Sequence, residues 1–287
     1  MSDDSSIRAS HPNGHFYSPV VDPAALESQK DRLWPESIPE CLGIDFNDAS
    51  HRRVLKQDFK RFIKDYDYPE QAQDESSFYT QNSQFSWLDA RALFVLLRSL
   101  RPSRIIEVGS GFSSLLMADV NDRFLESAVD ITCIEPYPRD FLRQQLPGLN
   151  RVIIQCVQDV PLQTFEQLKS GDLLFIDSSH VSKTGSDLNY LMFEVLPRLD
   201  RAVHIHFHDI FLPAEYLKEW VLEDNRSWNE QYLLRALLMQ TDAYQVTFGS
   251  NYAQLKFPEL VADALGFDDR RSFGGGSFWI QKKTDPL

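Results

Sequence analysis

Two short segments place carboxylates and imidazoles at spacings that can do chemistry: Asp177-Ser178-Ser179-His180 and His204-Ile205-His206-Phe207-His208-Asp209. Oxygen and imidazole donors together suit Mg2+, Mn2+ or a similar divalent ion, and an unligated imidazole beside them can serve as a general base. A third segment, Glu107-Val108-Gly109-Ser110-Gly111-Phe112-Ser113, has the form of a ligand-cradling turn. Gly109 lets the chain turn sharply, and Gly111 lets a ligand approach the backbone without meeting a Cβ. A tight strand-to-helix turn explains a lone G-x-G equally well. Two acids add to it. Glu135 ends a strand-like run, where a carboxylate can accept hydrogen bonds from two ribose hydroxyls, and Asp159 follows the next run, placed to accept from an adenine amino group. Taken singly, each reads as a solvated loop carboxylate. Together they mark successive strand ends on one rim.

The elements that must position these residues are short β-type runs at 104–108, 129–134, 151–156, 172–176 and 202–208, with helical patterns at 113–124, 138–146, 162–169 and 185–198 between them. Alternation of this kind predicts a mostly parallel sheet with helices on both faces. After a helix near 228–240, runs at 244–249 and 277–282 flank an irregular stretch ending in Gly274-Gly275-Gly276, which predicts an antiparallel pair at the sheet edge. Ahead of the sheet, apolar residues at helical spacing over 48–66 predict an amphipathic helix. A second helix follows Ser86 as N-cap, with Asp89 three residues on, and ends at Arg101-Pro102. Residues 1–40 hold five of the fifteen prolines and read as an extended lead segment that wraps the main body. The expected division is therefore 1–84, a Pro-rich lead and helical extension, and 85–287, the cofactor-binding domain.

With Glu-Val-Gly-Ser-Gly-Phe-Ser after the first strand, an acid at Glu135, Asp159 after the third strand and a closing strand pair, the chain resembles the class I S-adenosylmethionine-dependent methyltransferases over 85–283. That resemblance implies an α/β fold: a seven-stranded doubly wound sheet of order 3-2-1-4-5-7-6, the seventh strand antiparallel, here with an N-terminal helical extension. The cofactor, S-adenosyl-L-methionine, would lie over Gly109, Ser110, Gly111 and Ser113, with Glu107, Glu135, Asp159 and Asp177 as further contacts. Ser113 stands where the family often has glycine. The implied strand order also makes the fourth and fifth strands neighbours, gathering Asp177, His180, His208 and Asp209 in one pocket. The D-x-x-H and paired end of the fifth strand are similar to metal-dependent O-methyltransferases acting on sugars of natural products. By that likeness Asp177, His208 and Asp209 would hold Mg2+ or another divalent metal, with His180 as base. His208 replaces a glutamate of those enzymes, which favours Mn2+, Fe2+ or Zn2+ if an ion is held.

Other readings are weaker. An NAD(P)-dependent oxidoreductase of Rossmann type would want glycine where Ser114 stands, and a non-catalytic S-adenosylmethionine-binding protein has no distinguishing mark in the sequence. A metallohydrolase reading of His-x-His-x-His-Asp fails because no histidine follows His208. His204 and His206, on a buried central strand, read as core groups. Substrate-side candidates are 14–19, 79–85, Phe211-Leu212-Pro213, Trp220 and Trp228, while Glu230 and Gln231 could face the pocket or solvent.

Composition bounds the partners. The 287 residues carry 29 Lys+Arg against 42 Asp+Glu, a net charge of −13, which argues against general nucleic-acid or anionic-membrane binding. Twenty Phe, ten Tyr and five Trp can fill a sizeable core. Three cysteines, at spacings of neither a disulfide framework nor a zinc cluster, read as reduced thiols. No apolar run approaches the ~20 residues that span a bilayer, and the N-terminus lacks the apolar stretch of a signal peptide. The expectation is a cytoplasmic protein with a small-molecule substrate and no membrane partner; a homo-oligomer is compatible with the sequence.

Overall fold

The structure, a computed structural model, describes residues 9–267 and 274–283. Seven strands form one sheet: β1 Arg104–Val108, β2 Asp130–Ile134, β3 Arg151–Ile153, β4 Leu173–Ile176, β5 His204–Phe207, β6 Tyr244–Gly249 and β7 Phe278–Lys282. Their order is β3-β2-β1-β4-β5-β7-β6, as the resemblance implied. β1 to β5 run parallel, and β7 lies antiparallel to both β5 and β6. The chain reverses sequence direction at β1/β4, so the carboxyl ends of those strands open on a crevice where ligands bind in open α/β sheets.

Strand side chains alternate between two cores because the pleat has a period of two. On β1, Ile105 joins the core shared with the helices Trp87–Leu100 and Phe112–Phe124, whereas Ile106 and Val108 face the opposite core with Leu188, Leu191 and Leu234. Both cores cross residue 84. Val54, Leu55 and Phe59 of the first extension helix pack in the same cluster as Leu88 and Phe94, and Phe46 belongs to the other core. That first helix runs from Asp48 to Asp65 with a π-helical stretch over Val54–Phe59. The lead segment contains two short helices, Pro23–Glu27 and Lys30–Leu33. It lies against the chain after β5: Trp34 Nε1 donates to the carbonyl of Tyr216 (2.7 Å) and Val21 N–H to Ser227 Oγ (3.1 Å).

Several elements differ from the sequence pattern. β3 ends three residues before the expected 156, and 138–146 forms only a 3-10 turn at Asp140–Arg143. The stretch between β6 and β7 carries two helices, Ser250–Lys256 and Pro258–Leu265, and is irregular over the triple glycine as expected; 268–273 lie outside the described residues, as do 1–8 of the lead. Asp89 does not complete a capping box with Ser86. Its carboxylate instead accepts from the backbone N–H groups of Gly276 and Ser277, just ahead of β7, which draws it away from the helix end. Among the described residues, no helix is long and apolar enough to cross a membrane.

Candidate active site

At the carboxyl ends of β1, β4 and β5 lies a cavity of about 840 Å3. One wall is the glycine turn. Gly109 leaves β1 at φ +78°, and a Cβ there would stand 1.7 Å from the carbonyl oxygen of Asp177, so the residue must be glycine for the two strand ends to meet. Gly111 is constrained differently: a Cβ on it would meet nothing within 4 Å, because the residue opens onto the cavity. The turn is held from both sides. Glu135 accepts from Ser110 N–H (3.2 Å) and Tyr137 N–H (2.8 Å) while facing the cavity.

Two expected cofactor contacts lie elsewhere. Glu107 is fully buried and points beneath the turn, where its oxygens accept from Ser113 Oγ (2.6 Å), Ser114 Oγ (2.5 Å) and Cys133 Sγ (3.0 Å). It shapes the turn and touches no cavity space. Burial pushes its carboxyl up to about 7, against the opposing hydroxyl bonds, and the same burial, with Glu107 alongside, raises the Cys133 thiol well above its ordinary value. Asp159 is exposed on the 3-10 turn Val157–Asp159 and is not among the cavity-lining residues; the early end of β3 sends it outward. Ser113 borders the cavity, but its hydroxyl is committed to Glu107.

The opposite wall holds the acid and imidazole groups. Asp177 follows β4, its N–H donating to the carbonyl of Val108 (2.8 Å), and Asp209 follows β5 with a left-handed backbone (φ +55°). His180 is also left-handed (φ +61°), which swings its ring back so that Nε2 lies 3.5 Å from Asp177 Oδ1 and 3.5 Å from Asp209 Oδ2. The other ring nitrogen, Nδ1, lies 2.8 Å from Glu230 Oε2. Burial alone would lower the imidazole, but the bonds to Asp177 and Glu230 outweigh it and hold His180 well above the usual histidine range. Around it, burial raises the carboxyls of Asp209 and Glu230, with the nearby histidines only partly offsetting it; for Asp177 the charges of His208 and His180 overcome burial and lower it.

The ligand atoms of Asp177, His180 and Asp209 lie within 4.8 Å of one another, a donor set that fits a divalent ion. His208 is not in that set, contrary to the expected Asp177, His208 and Asp209. Its Nε2 approaches the other oxygen of Asp209 (3.6 Å), and its ring packs beside Phe85, with ring centres 5.1 Å apart. His206 stays in the core, stacked on Phe175 and bonded to Ser277 Oγ (2.9 Å). Of the substrate-side candidates, Phe85, Phe211, Trp220 and Trp228 line the cavity, while 14–19 do not. The triple glycine, which stood out in the sequence, also lines it, as do Asp89, Arg139 and Arg226, which were not among the expected site residues. Asp89 had a helix-capping explanation that hid it. Arg139 and Arg226 carry no local motif; they are recognisable only once β2 and the segment after β5 are seen to end at the same cavity.

Comparison with known proteins identifies the domain that carries this cavity. Residues 106–210 match the family model described as a methyltransferase domain, a span running from within β1 to just past β5. An uncharacterized protein of Archaeoglobus fulgidus is 37% identical over 165 residues, covering 56% of this chain and 74% of its own length. The chain belongs to the class I S-adenosylmethionine-dependent methyltransferases. Solved structures with a more distant likeness include the S-adenosylhomocysteine-bound methyltransferase PaMTH1 of Podospora anserina, 16% identical, with 97% of this chain and 100% of that chain covered and a TM-score of 0.40. An O-methyltransferase of Bacillus cereus in complex with S-adenosylhomocysteine is 13% identical, with 91% and 97% covered and a TM-score of 0.39.

Proposed function

We propose that the chain transfers the methyl group of S-adenosylmethionine to an oxygen of a small-molecule acceptor. One observation carries the reading: the glycine turn with Glu135 and the cluster of Asp177, His180 and Asp209 border a single cavity, so a methyl donor and a proton acceptor share one space. The sheet order favours this over dinucleotide chemistry, because β7 is inserted antiparallel between β5 and β6 whereas the dinucleotide fold ends 4-5-6.

In this reading Gly111 leaves room for the donor over the turn and Glu135 takes the ribose hydroxyls. The acceptor rests against Phe211, Trp220 and Trp228, whose rings exclude water. The bonds to Asp177 and Glu230 favour the charged form of His180 in the ligand-free chain. A cationic donor in the same cavity opposes that charge, so the ring gives up its Nε2 proton and becomes a base. Nε2 then takes the hydroxyl proton of the acceptor while the oxygen lone pair forms the new bond to the methyl carbon. The carbon–sulfur bond breaks, and its electron pair stays on sulfur in S-adenosylhomocysteine. Positioning in line supplies most of the acceleration. A divalent ion held by Asp177, His180 and Asp209 would take the Nε2 lone pair and, in place of the base, would lower the pKa of an acceptor hydroxyl when bound.

Calorimetry with S-adenosylhomocysteine tests the cofactor half of the reading: wild-type chain should bind and Gly111→Leu should not. For the transfer half, acceptors are screened by release of S-adenosylhomocysteine. His180→Ala should remove turnover and leave cofactor affinity within about threefold, and full activity of that variant would exclude the base.

A further inference from the structure

We propose that Glu230 is the positioning residue for His180: its buried carboxylate holds the Nδ1–H and thereby fixes Nε2 as the nitrogen turned to the cavity. The proposal rests on the reading of His180 as the group that takes the acceptor's proton. Glu230 opens the helix Glu230–Gln240 and is 1% exposed, with Oε2 2.8 Å from His180 Nδ1. An imidazole has two nitrogens that can exchange roles, and the one that reacts is set by the bond the other makes.

The surrounding contacts make this bond directional. The N–H groups of Asn229 and Glu230 both donate to the carbonyl of His180 (3.1 and 3.2 Å), and Ser182 N–H donates to Asn229 Oδ1 (2.6 Å). The helix start is thus tied to the histidine's own backbone, and the acid cannot drift from the ring. Trp228 covers the imidazole face, its ring centre 4.2 Å from the ring centre of His180. The helix dipole also favours a carboxylate in the first turn, which works against the cost of its burial.

Glu230 is a poor choice for a purely structural acid. Its second oxygen, Oε1, is buried with no hydrogen-bond partner among the described residues, a state that folding disfavours. An apolar residue would fill the space with no unmet demand. What the carboxylate provides is an oxygen that accepts from Nδ1–H, so that Nε2 keeps its place towards the cavity.

The test uses the full chain with 15N-labelled histidine. The expected signature is an exchange-protected Nδ1–H of His180, shifted far downfield by the charged acceptor and assigned by its loss in His180→Asn. It should disappear in Glu230→Ala and persist, moved upfield, in Glu230→Gln. Circular dichroism reports whether each variant is folded; should the alanine variant fail to fold, Glu230→Gln decides by the upfield movement alone. A wild-type chain without the signal, or a signal unmoved in folded Glu230→Gln, overturns the proposal. With catechol as the probe acceptor, Glu230→Gln should lose about 10–100-fold in kcat while KM for S-adenosylmethionine stays within twofold. A wild type that methylates no probe counts against the methyl-transfer reading, and the Nδ1–H signal still decides the role of Glu230.

Discussion

Gly109 and Asp177 meet backbone to backbone: any Cβ on the glycine would stand 1.7 Å from the carbonyl oxygen that follows β4. The contact lets β1 and β4 end side by side, with the N–H of Asp177 bonded to Val108. The first glycine of the turn therefore serves the fold, and in the proposed reading the second leaves room for the ligand. Gly109→Ala should destabilise the chain by on the order of 3–5 kcal/mol, read from denaturant unfolding, since a positive φ and a backbone clash add. Gly111→Leu should fold with nearly wild-type stability, because a side chain there enters open space, and should lose S-adenosylhomocysteine binding in calorimetry. Equal stability of the two variants would remove the distinction.

Glu107 gives the chain a pH-dependent stability. Its carboxyl is raised from 4.5 to about 7 by burial, so the native state holds the proton more tightly than the unfolded chain. Stability from this group is then complete below pH 4.5 and falls as the pH rises towards 7, levelling off above it. The loss over that window is roughly 3 kcal/mol, by about 1.4 kcal/mol per pH unit. Unfolding midpoints of wild type and Glu107→Gln at pH 5 and pH 8 should show the slope flattened in the variant; parallel slopes would show that Glu107 does not titrate there.

How much of this was legible depended on whether a signal is local. The strand order followed from the resemblance carried by the Glu107–Ser113 turn, and the acids after β2 and β4 sit where strand ends put them. Asp159 misled because strand length, which β3 cut short, decides whether a residue on the rim faces in or out. His208 misled for a related reason: a sequence shows that His180 and His208 reach one pocket, but not the left-handed backbone at His180 that turns its ring between the two aspartates. Glu230 was visible only as an acid that could face either way, since its partner lies fifty residues earlier.

Asp89 is the group most easily underestimated. It is 5% exposed and holds the N–H groups of Gly276 and Ser277 at 2.8 and 2.9 Å, tying the helix Trp87–Leu100 to the start of β7. Gly275 is packed on the same carboxylate, where a Cβ would come within 2.3 Å of Oδ1. Asp89→Ala leaves two buried donors unmet and should cost about 3 kcal/mol, with weaker cofactor binding because the glycine segment borders the cavity. Asp89→Asn keeps one acceptor and should lose about half as much. Thermal unfolding with and without S-adenosylhomocysteine separates the two effects.

A metal titration should distinguish the two imidazoles near Asp209. His180 Nε2 lies 3.5 Å from an oxygen of each aspartate, whereas His208 stands beside the far oxygen of Asp209 with its Nδ1 unpartnered among the described residues. Replacing a ligand should weaken a bound ion far more than replacing a neighbour. Titration with Mn2+, followed by the loss of its free paramagnetic signal, should show Asp177→Asn, His180→Ala and Asp209→Asn each weakened by about 100-fold or more. His208→Gln should change affinity by less than about tenfold, the lower end for groups that only support a ligand. If His208→Gln is the most damaging of the four, the ion sits on the β5 side, and the set of Asp177, His180 and Asp209 is not the metal site.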